Sequence, residues 1–259
     1  MLIVFDIGNT AIGLGLFQRK KLLADWKIKS DREKTADEYG IFLCNLLNHK
    51  KLSPQKIKGA IISSVVPPLT PTIQTACEKF FRVKPLVVGP GIKTGIPILY
   101  ENPAEVGSDR IVVACAAYEK YGGPCLVVDF GTATTFDAIS EKGEYLGGAI
   151  APGIQISAEA LYLRTAKLPR IEVKKPKSAI GRTTVSSMQS GLYFGYIGLV
   201  SNIIAEISRE LRKRPRVMAT GGFAEMIAAE IPAIEFYEPN LVLEGLRLVY
   251  EKNKRPEKK

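Results

Sequence analysis

A short phrase occurs twice in this chain and limits what it can fold into more than any other feature. Asp6-Ile7-Gly8-Asn9-Thr10 follows the apolar run Leu2-Ile3-Val4-Phe5, and Asp129-Phe130-Gly131-Thr132-Ala133-Thr134 follows Leu126-Val127-Val128. Apolar runs of this length rich in β-branched residues read as buried strands. Each delivers a carboxylate, then a glycine, then small hydroxyl or amide side chains. A second apolar stretch follows each, Ile12 to Phe17 and Phe136 to Ile139, as in a strand that turns back as a hairpin. Glycine lets backbone N–H groups approach phosphate oxygens, Thr and Asn add neutral donors, and Asp can hold a metal ion or its waters. Either copy alone reads equally as an ordinary turn. Two copies at strand ends, half a chain apart, point to a duplicated domain that binds a nucleotide.

At 259 residues the chain accommodates two domains of about 120 to 130 residues. Its 46% apolar and 24% charged residues are those of an ordinary soluble globular protein. Disorder is expected only at the tail, Lys252 to Lys259. No apolar stretch approaches transmembrane length, and Met1 to Asp6 has neither a basic lead-in nor a cleavage region. The expectation is a cytoplasmic protein with no membrane partner.

A single histidine, His49, sits near an expected helix end and reads as solvated. That excludes Ser-His-Asp, Cys-His and His-ligated metal chemistry, leaving acid–base work to Asp, Glu, Lys or Tyr. The four cysteines, Cys44, Cys77, Cys115 and Cys125, have no CxxC spacing and no neighbouring histidine. Free thiols and no zinc are expected; Cys44, Cys77 and Cys115 fall in expected helices as small hydrophobes. The net charge of +10 is spread along the chain except in Arg209 to Arg214 and the tail. No basic stretch is interleaved with aromatics, so no nucleic-acid partner is expected, and a bias towards anionic small substrates fits the charge.

The first half reads β-β-β-α-β-α-β. Lys21 to Lys29 is a strand, and Thr35 caps a helix with Glu38 at the capping-box position. Ser53-Pro54 caps a short helix, Gly59 to Val66 is a buried strand, Pro71 to Phe81 a helix, and Pro85 to Val88 a strand. Tyr100 to Arg110 leads into an apolar helix ending near Tyr121. The second half restarts at Leu126. Glu144 to Ile150 is a strand and residues 154 to 163 a helix, followed by a Pro- and Lys-rich loop from Leu168 to Ser178. The long helix Thr184 to Ile207 carries Ser187, Ser190, Gly191, Gly195 and Gly198 on one side. Glycine costs helix stability, so close packing against another helix is expected there, including across a two-fold axis. A strand at Arg216 to Thr220 runs into Gly221-Gly222, which suits an adenosine or a phosphate as readily as a plain turn. The last helix runs from Leu241 to about Tyr250. Asp137 and Glu144 read as solvated.

The two strand–Asp–Gly–Thr turns resemble the phosphate motifs of the actin-like ATPases, the superfamily of actin and the sugar kinases. Within it the chain resembles the type III pantothenate kinases throughout: DIGNT at 6–10, SSVVPP at 63–68, PLVVGPGIKTG at 85–95, YENPAEVGSDR at 100–110, VDFGTATT at 128–135, GGAIAPGI at 147–154 and TVSSMQSG at 184–191. The resemblance implies two α/β domains of the actin-like (ribonuclease H-like) type, each a mixed five-stranded sheet with flanking helices, over 1–117 and 118–259. It implies phosphoryl transfer from ATP to the primary hydroxyl of pantothenate, giving 4′-phosphopantothenate, the first step towards coenzyme A.

The resemblance also implies roles. Asp6, Ile7, Gly8, Asn9, Thr10, Ala11, Ile12 and Gly13 would line the ATP phosphates, with Thr132 contributing from the second turn. Asp109 would accept the hydroxyl proton, with Tyr100, Gly107, Ser108 and Arg110 holding pantothenate. Asp129 would ligate a monovalent cation, potassium or ammonium, beside the magnesium that accompanies ATP. Thr184 would contact pantothenate near the subunit boundary of a homodimer. Some relatives carry lysine where this chain has Gly13, so the positive charge on the phosphates is weaker here.

The residues agree without the family. Phosphoryl transfer is mostly positioning and charge stabilisation, for which a carboxylate base suffices. The planar fork of Arg110 matches a substrate carboxylate. Asp109 reads equally as a helix N-terminal acid and Arg110 as a surface ion-pair partner. A kinase for another small hydroxylated acid or sugar, and a regulatory accessory protein, stay open as alternatives.

Overall fold

The computed structural model describes residues 1–254. Its contacts divide the chain into two units. The first comprises Met1–Gly95, Glu101–Ala116 and the chain from Val242 on; the second comprises Ile96–Tyr100 and Ala117–Leu241.

In the first unit, strands β1 (Leu2–Ile7), β2 (Ala11–Gln18), β3 (Lys21–Lys29), β4 (Gly59–Ser64) and β5 (Leu86–Val87) form one sheet in the order β3-β2-β1-β4-β5. The β1–β2 and β2–β3 pairs are antiparallel, and β1–β4 and β4–β5 are parallel. Central parallel strands are covered on both faces and therefore read as unbroken apolar runs. Leu2 to Phe5 and Ala60 to Ile62 are such runs, and all are buried. Helices α1 (Ala36–His49) and α2 (Leu69–Ala76) bring Tyr39, Leu43, Leu47, Leu69 and Ile73 onto Ile3, Phe5, Ile7 and Ile62. Helix α1 starts where expected: Thr35 Oγ1 accepts from Glu38 N at 3.3 Å, and Glu38 Oε2 accepts from Thr35 N at 2.8 Å. Helix α2 passes at Cys77–Phe81 into a π-helical turn ending at Arg82, whose φ is 57°.

Helix α3 (Ser108–Tyr121) as far as Ala116 and, after the second unit, helix α7 (Leu241–Asn253) from Val242 on complete the first unit. They cross closely at Gly245, where a Cβ would lie 2.1 Å from the Val112 carbonyl oxygen. The division therefore differs from the expected one: the last helix, from Val242 on, belongs with the first sheet, and Ile96–Tyr100 belongs with the second. Of the tail expected to be disordered, Lys252 and Asn253 are helical. Asn253 accepts from the Lys93 N–H at 3.0 Å and donates to the Lys93 carbonyl at 2.8 Å. Residues 255–259 lie outside the described residues.

The second unit repeats the plan. Strands β6 (Cys125–Phe130), β7 (Ala133–Ile139), β8 (Tyr145–Pro152), β9 (Arg216–Gly221) and β10 (Phe236–Tyr237) are ordered β10-β9-β6-β7-β8. Setting β6 to β10 in the places of β1 to β5 reproduces both the order and every strand direction. The duplication read from the two Asp–Gly turns is a duplication of whole sheets.

Helices α4 (Ile154–Arg164), α5 (Thr184–Glu210) and α6 (Ala224–Ala228) accompany this sheet. Helix α5 corrects one expectation. It is long and apolar enough, with mean hydropathy 1.2 over its best window, to meet the length and composition of a membrane span. Yet Tyr193, Tyr196, Val200 and Ile204 recur on one face and pack with Phe130, Val217 and Ala219, the pattern of a helix that lays one apolar face on a sheet. Among the described residues no second helix packs on its glycines, since a Cβ on Gly191, Gly195 or Gly198 would meet nothing within 4 Å beyond the backbone of its own helix.

Candidate active site

The first Asp–Gly turn joins β1 to β2. Gly8 N donates to Ala11 O at 3.1 Å, which closes the turn; Ser30 Oγ donates to Gly8 O, and Ser30 N to Thr10 O at 3.1 Å. These bonds hold the backbone while Asn9 and Thr10 stay exposed. Arg32 Nη2 donates to Asn9 Oδ1 at 3.1 Å. Gly13 pairs with Asp6 across the ladder, and a Cβ on Gly13 would lie 3.7 Å from that of Asp6. Directly opposed residues of an antiparallel pair share a face. A lysine at position 13 would therefore stand beside the Asp6 carboxylate, a neighbour this chain lacks.

The Gly107-Ser108-Asp109-Arg110 loop is tied to the same strand end. Asp6 pairs in parallel register with Ser63. Ser63, fully buried, places its Oγ 2.9 Å from Ser108 Oγ, which also accepts from Ser64 N at 3.1 Å. The start of α3 is thus bonded to the strand beside Asp6. The half-buried Asp109 accepts from the Arg110 N–H at 2.9 Å through Oδ1, a first-turn position the helix dipole favours for a carboxylate. That oxygen occupies the space a Cβ on Gly107 would need, at 2.4 Å. Gly107 is the residue that gives the carboxylate room. Ser63 entered the sequence reading only within a longer motif; its signal was a hydroxyl closing a buried apolar run.

In the second unit Asp129 occupies the place Asp6 has in the first, paired with Thr220 in parallel register. Gly221, at φ 95°, follows Thr220, and a Cβ on it would lie 2.5 Å from Asp129 Oδ1. The half-buried carboxylate is thus bordered by the bare backbone of Gly221. Thr132 is exposed in its turn, and Gly153 has no Cβ because one would lie 2.2 Å from the Thr132 carbonyl oxygen. Gly221-Gly222 leads to α6, a helix of only five residues.

Tyr100 belongs to the second unit, unlike the rest of its motif from Glu101 on. Its ring lies over Gly147 and is 36% exposed. Thr184 is the exposed first residue of α5, behind the N-cap Thr183, whose hydroxyl accepts from Ser186 N at 3.1 Å. Asp137 corrects the sequence reading: it is 1% exposed, not solvated. Its oxygens accept from Tyr145 Oη at 2.8 Å and Thr135 Oγ1 at 3.0 Å. An acid inside a strand goes against β propensity, which was the signal available. Glu144 is half-buried and accepts from Ser140 Oγ at 2.7 Å.

The cysteines stand apart from this chemistry. All four are free, and burial pushes the Cys77 and Cys125 thiols up to about 12, so they stay protonated and unreactive.

Comparison with known proteins agrees with this geometry. Residues 2–206 match the family described as type III pantothenate kinase. A type III pantothenate kinase from Bacillus cytotoxicus is 53% identical over 253 residues, 98% of this chain and 97% of that one. A solved structure from Campylobacter jejuni, assigned to the Baf family of transcriptional activators, is 20% identical with a TM-score of 0.63, covering 97% of this chain and 98% of its own. One from Sinorhizobium meliloti, assigned as a 2-dehydro-3-deoxygalactonokinase, is 12% identical with a TM-score of 0.59, covering 100% and 99%. At those identities the structures speak for the fold alone, the duplicated actin-like fold. The match over 98% of the chain goes further: this chain belongs to the type III pantothenate kinase family.

Proposed function

We propose that this chain transfers the terminal phosphoryl group of ATP to the primary hydroxyl of pantothenate, giving 4′-phosphopantothenate for coenzyme A synthesis. The observation that carries the reading is the match to a type III pantothenate kinase at 53% identity over nearly the whole length of both chains. In the first unit, Asp6 to Gly13 line the phosphates and Asp109 accepts the hydroxyl proton as the bond to phosphorus forms. Gly107, Ser108 and Arg110 hold the substrate, the guanidinium opposing its carboxylate. In the second unit, Thr132 contacts phosphate, and Tyr100 and Thr184 contact pantothenate.

The reading of Asp129 as the ligand of potassium or ammonium is supported by its donor set. Among the described residues no three acids, cysteines or histidines gather, so a cation at Asp129 takes at most one further ligand of those kinds and otherwise neutral oxygens. That suits a singly charged ion better than a divalent one, and magnesium arrives with the nucleotide. Bound there, the cation would supply positive charge to the phosphates; Asp129 itself would only hold it.

We also read the enzyme as a cytoplasmic homodimer. Support comes from the open glycine face of α5, from the exposed Val185 and Phe194 on the same helix, and from a groove of about 510 Å³ lined by Ser157, Leu161, Met188 and Leu192.

The test is a coupled ADP-release assay with ATP, magnesium and pantothenate, with potassium or sodium as the only monovalent ion, on wild type and Asp109→Asn. Turnover should require potassium and pantothenate, and the variant should lose about 10²- to 10⁴-fold in kcat. Absence of pantothenate-dependent turnover under every ion condition would overturn the reading.

A further inference from the structure

Tyr145 is fully buried although it carries a hydroxyl, and three restraints converge on it. Its backbone N–H donates to Pro97 O at 2.8 Å and its carbonyl accepts from Leu99 N at 2.8 Å. These bonds lay the Ile96–Tyr100 segment along β8 as a parallel bridge from Ile98 to Tyr145. The side chain of Tyr145 is held in turn by Asp137, which accepts a hydrogen bond from its hydroxyl at 2.8 Å and a second one from Thr135 Oγ1 at 3.0 Å.

Immediately beyond this anchor stands Tyr100, its ring centroid 6.4 Å from that of Tyr145 at an interplanar angle of 45°. The ring rests on Gly147, where a Cβ would come within 3.2 Å of Tyr100 Cε2. Gly147 has φ 110°, a conformation glycine adopts without strain. A buried carboxylate is costly unless fully hydrogen-bonded, and apolar residues often replace such groups without loss of stability. Its use here is therefore to hold one geometry.

We propose that Asp137, Tyr145 and Gly147 are positioning residues that hold Tyr100 at one place and orientation for pantothenate. This rests on the reading of Tyr100 as a substrate contact. None of the three touches the reacting atoms. Asp137 fixes the Tyr145 ring, Tyr145 fixes the segment through its backbone, and Gly147 leaves the Tyr100 ring a flat surface.

The test combines steady-state kinetics with amide hydrogen exchange on the full chain, for Tyr145→Phe, Asp137→Asn, Tyr100→Ala and the double variant Tyr100→Ala/Tyr145→Phe. Tyr145→Phe should raise KM for pantothenate about tenfold, leave KM for ATP unchanged, and speed exchange of the Leu99 amide. Asp137→Asn keeps an oxygen that can accept the Tyr145 hydroxyl and should do less of each. In the Tyr100→Ala background, Tyr145→Phe should add nothing. Equal rises in both KM values, additive effects in the double variant, or unchanged Leu99 exchange in both single variants would each overturn the proposal. An unchanged pantothenate KM in Tyr100→Ala would instead remove the substrate reading of Tyr100, with Leu99 exchange still deciding whether Asp137 and Tyr145 hold it.

Discussion

Ser63 Oγ and Ser108 Oγ lie 2.9 Å apart across 45 residues of sequence. This contact fastens the start of α3 to the strand next to Asp6. Ser108 also engages Ser64, so removing one hydroxyl loosens the junction without opening it. Ser63→Ala should cost about 1 kcal/mol of stability, a fall of roughly 2–4 °C in Tm. It should lower kcat/KM for pantothenate by several-fold while leaving KM for ATP alone. Calorimetry and the coupled assay check both; a stability loss with unchanged kinetics would separate Ser63 from the positioning of the loop.

Gly107→Ala addresses Asp109 through space rather than by replacing it. A Cβ at 107 would lie 2.4 Å from Asp109 Oδ1, so the carboxylate must move. The contact nearest the new methyl is a side chain, and the glycine has no positive φ to lose, so the fold should tolerate the change within ±1 kcal/mol. A displacement of about 1 Å at a catalytic group costs about 10²-fold in rate. We expect kcat to fall by at least tenfold with Tm nearly unchanged. Wild-type kcat in this variant would show that the position of Asp109 does not limit the reaction.

How much of this was legible in the sequence depends on the range of each interaction. The strand over Lys21–Lys29, the Thr35–Glu38 cap and both Asp–Gly turns rest on neighbouring residues, and the structure has them as read. What escaped is non-local. The apolar pattern of Leu241–Asn253 announces a helix but not that its Gly245 will meet Val112. Asp137 looks like any polar strand residue until Tyr145, eight positions on, delivers a hydroxyl to it. Tyr100 is contiguous with the Gly107–Arg110 loop in sequence, yet its backbone neighbours bond to β8. The proposed site residues were therefore nameable from motif and family, while the groups that hold them in the fold were not.

Cys77 makes stability depend on alkaline pH. The thiol is fully buried, and that burial raises its pKa from the usual 9.0 to about 12. Between those values the unfolded chain releases a proton that the folded one keeps, so stability falls as pH rises. The contribution is complete below about pH 9 and vanishes through about pH 12, with a limiting slope near 1.4 kcal/mol per pH unit. Cys77→Ala should therefore show a shallower decline of Tm between pH 8.5 and 10.5 than wild type, whatever its starting value. Parallel declines in the two proteins would mean the thiol ionises without unfolding.

Gly195 separates the subunit from its assembly. Among the described residues a Cβ there meets nothing within 4 Å beyond the backbone of its own helix, and the residue lies in the middle of α5. In an isolated subunit Gly195→Ala should gain about 0.5–1 kcal/mol from helix propensity alone, and Gly195→Leu should be tolerated too. If two subunits approach along this face, small residues permit that approach and a leucine obstructs it. We therefore expect Gly195→Leu to keep its helical circular dichroism but to sediment as a monomer at concentrations where wild type is a dimer. A dimer of undiminished affinity in Gly195→Leu would move the interface off this face. A wild type that sediments as a monomer would remove the dimer altogether, and then Gly195→Ala should raise Tm.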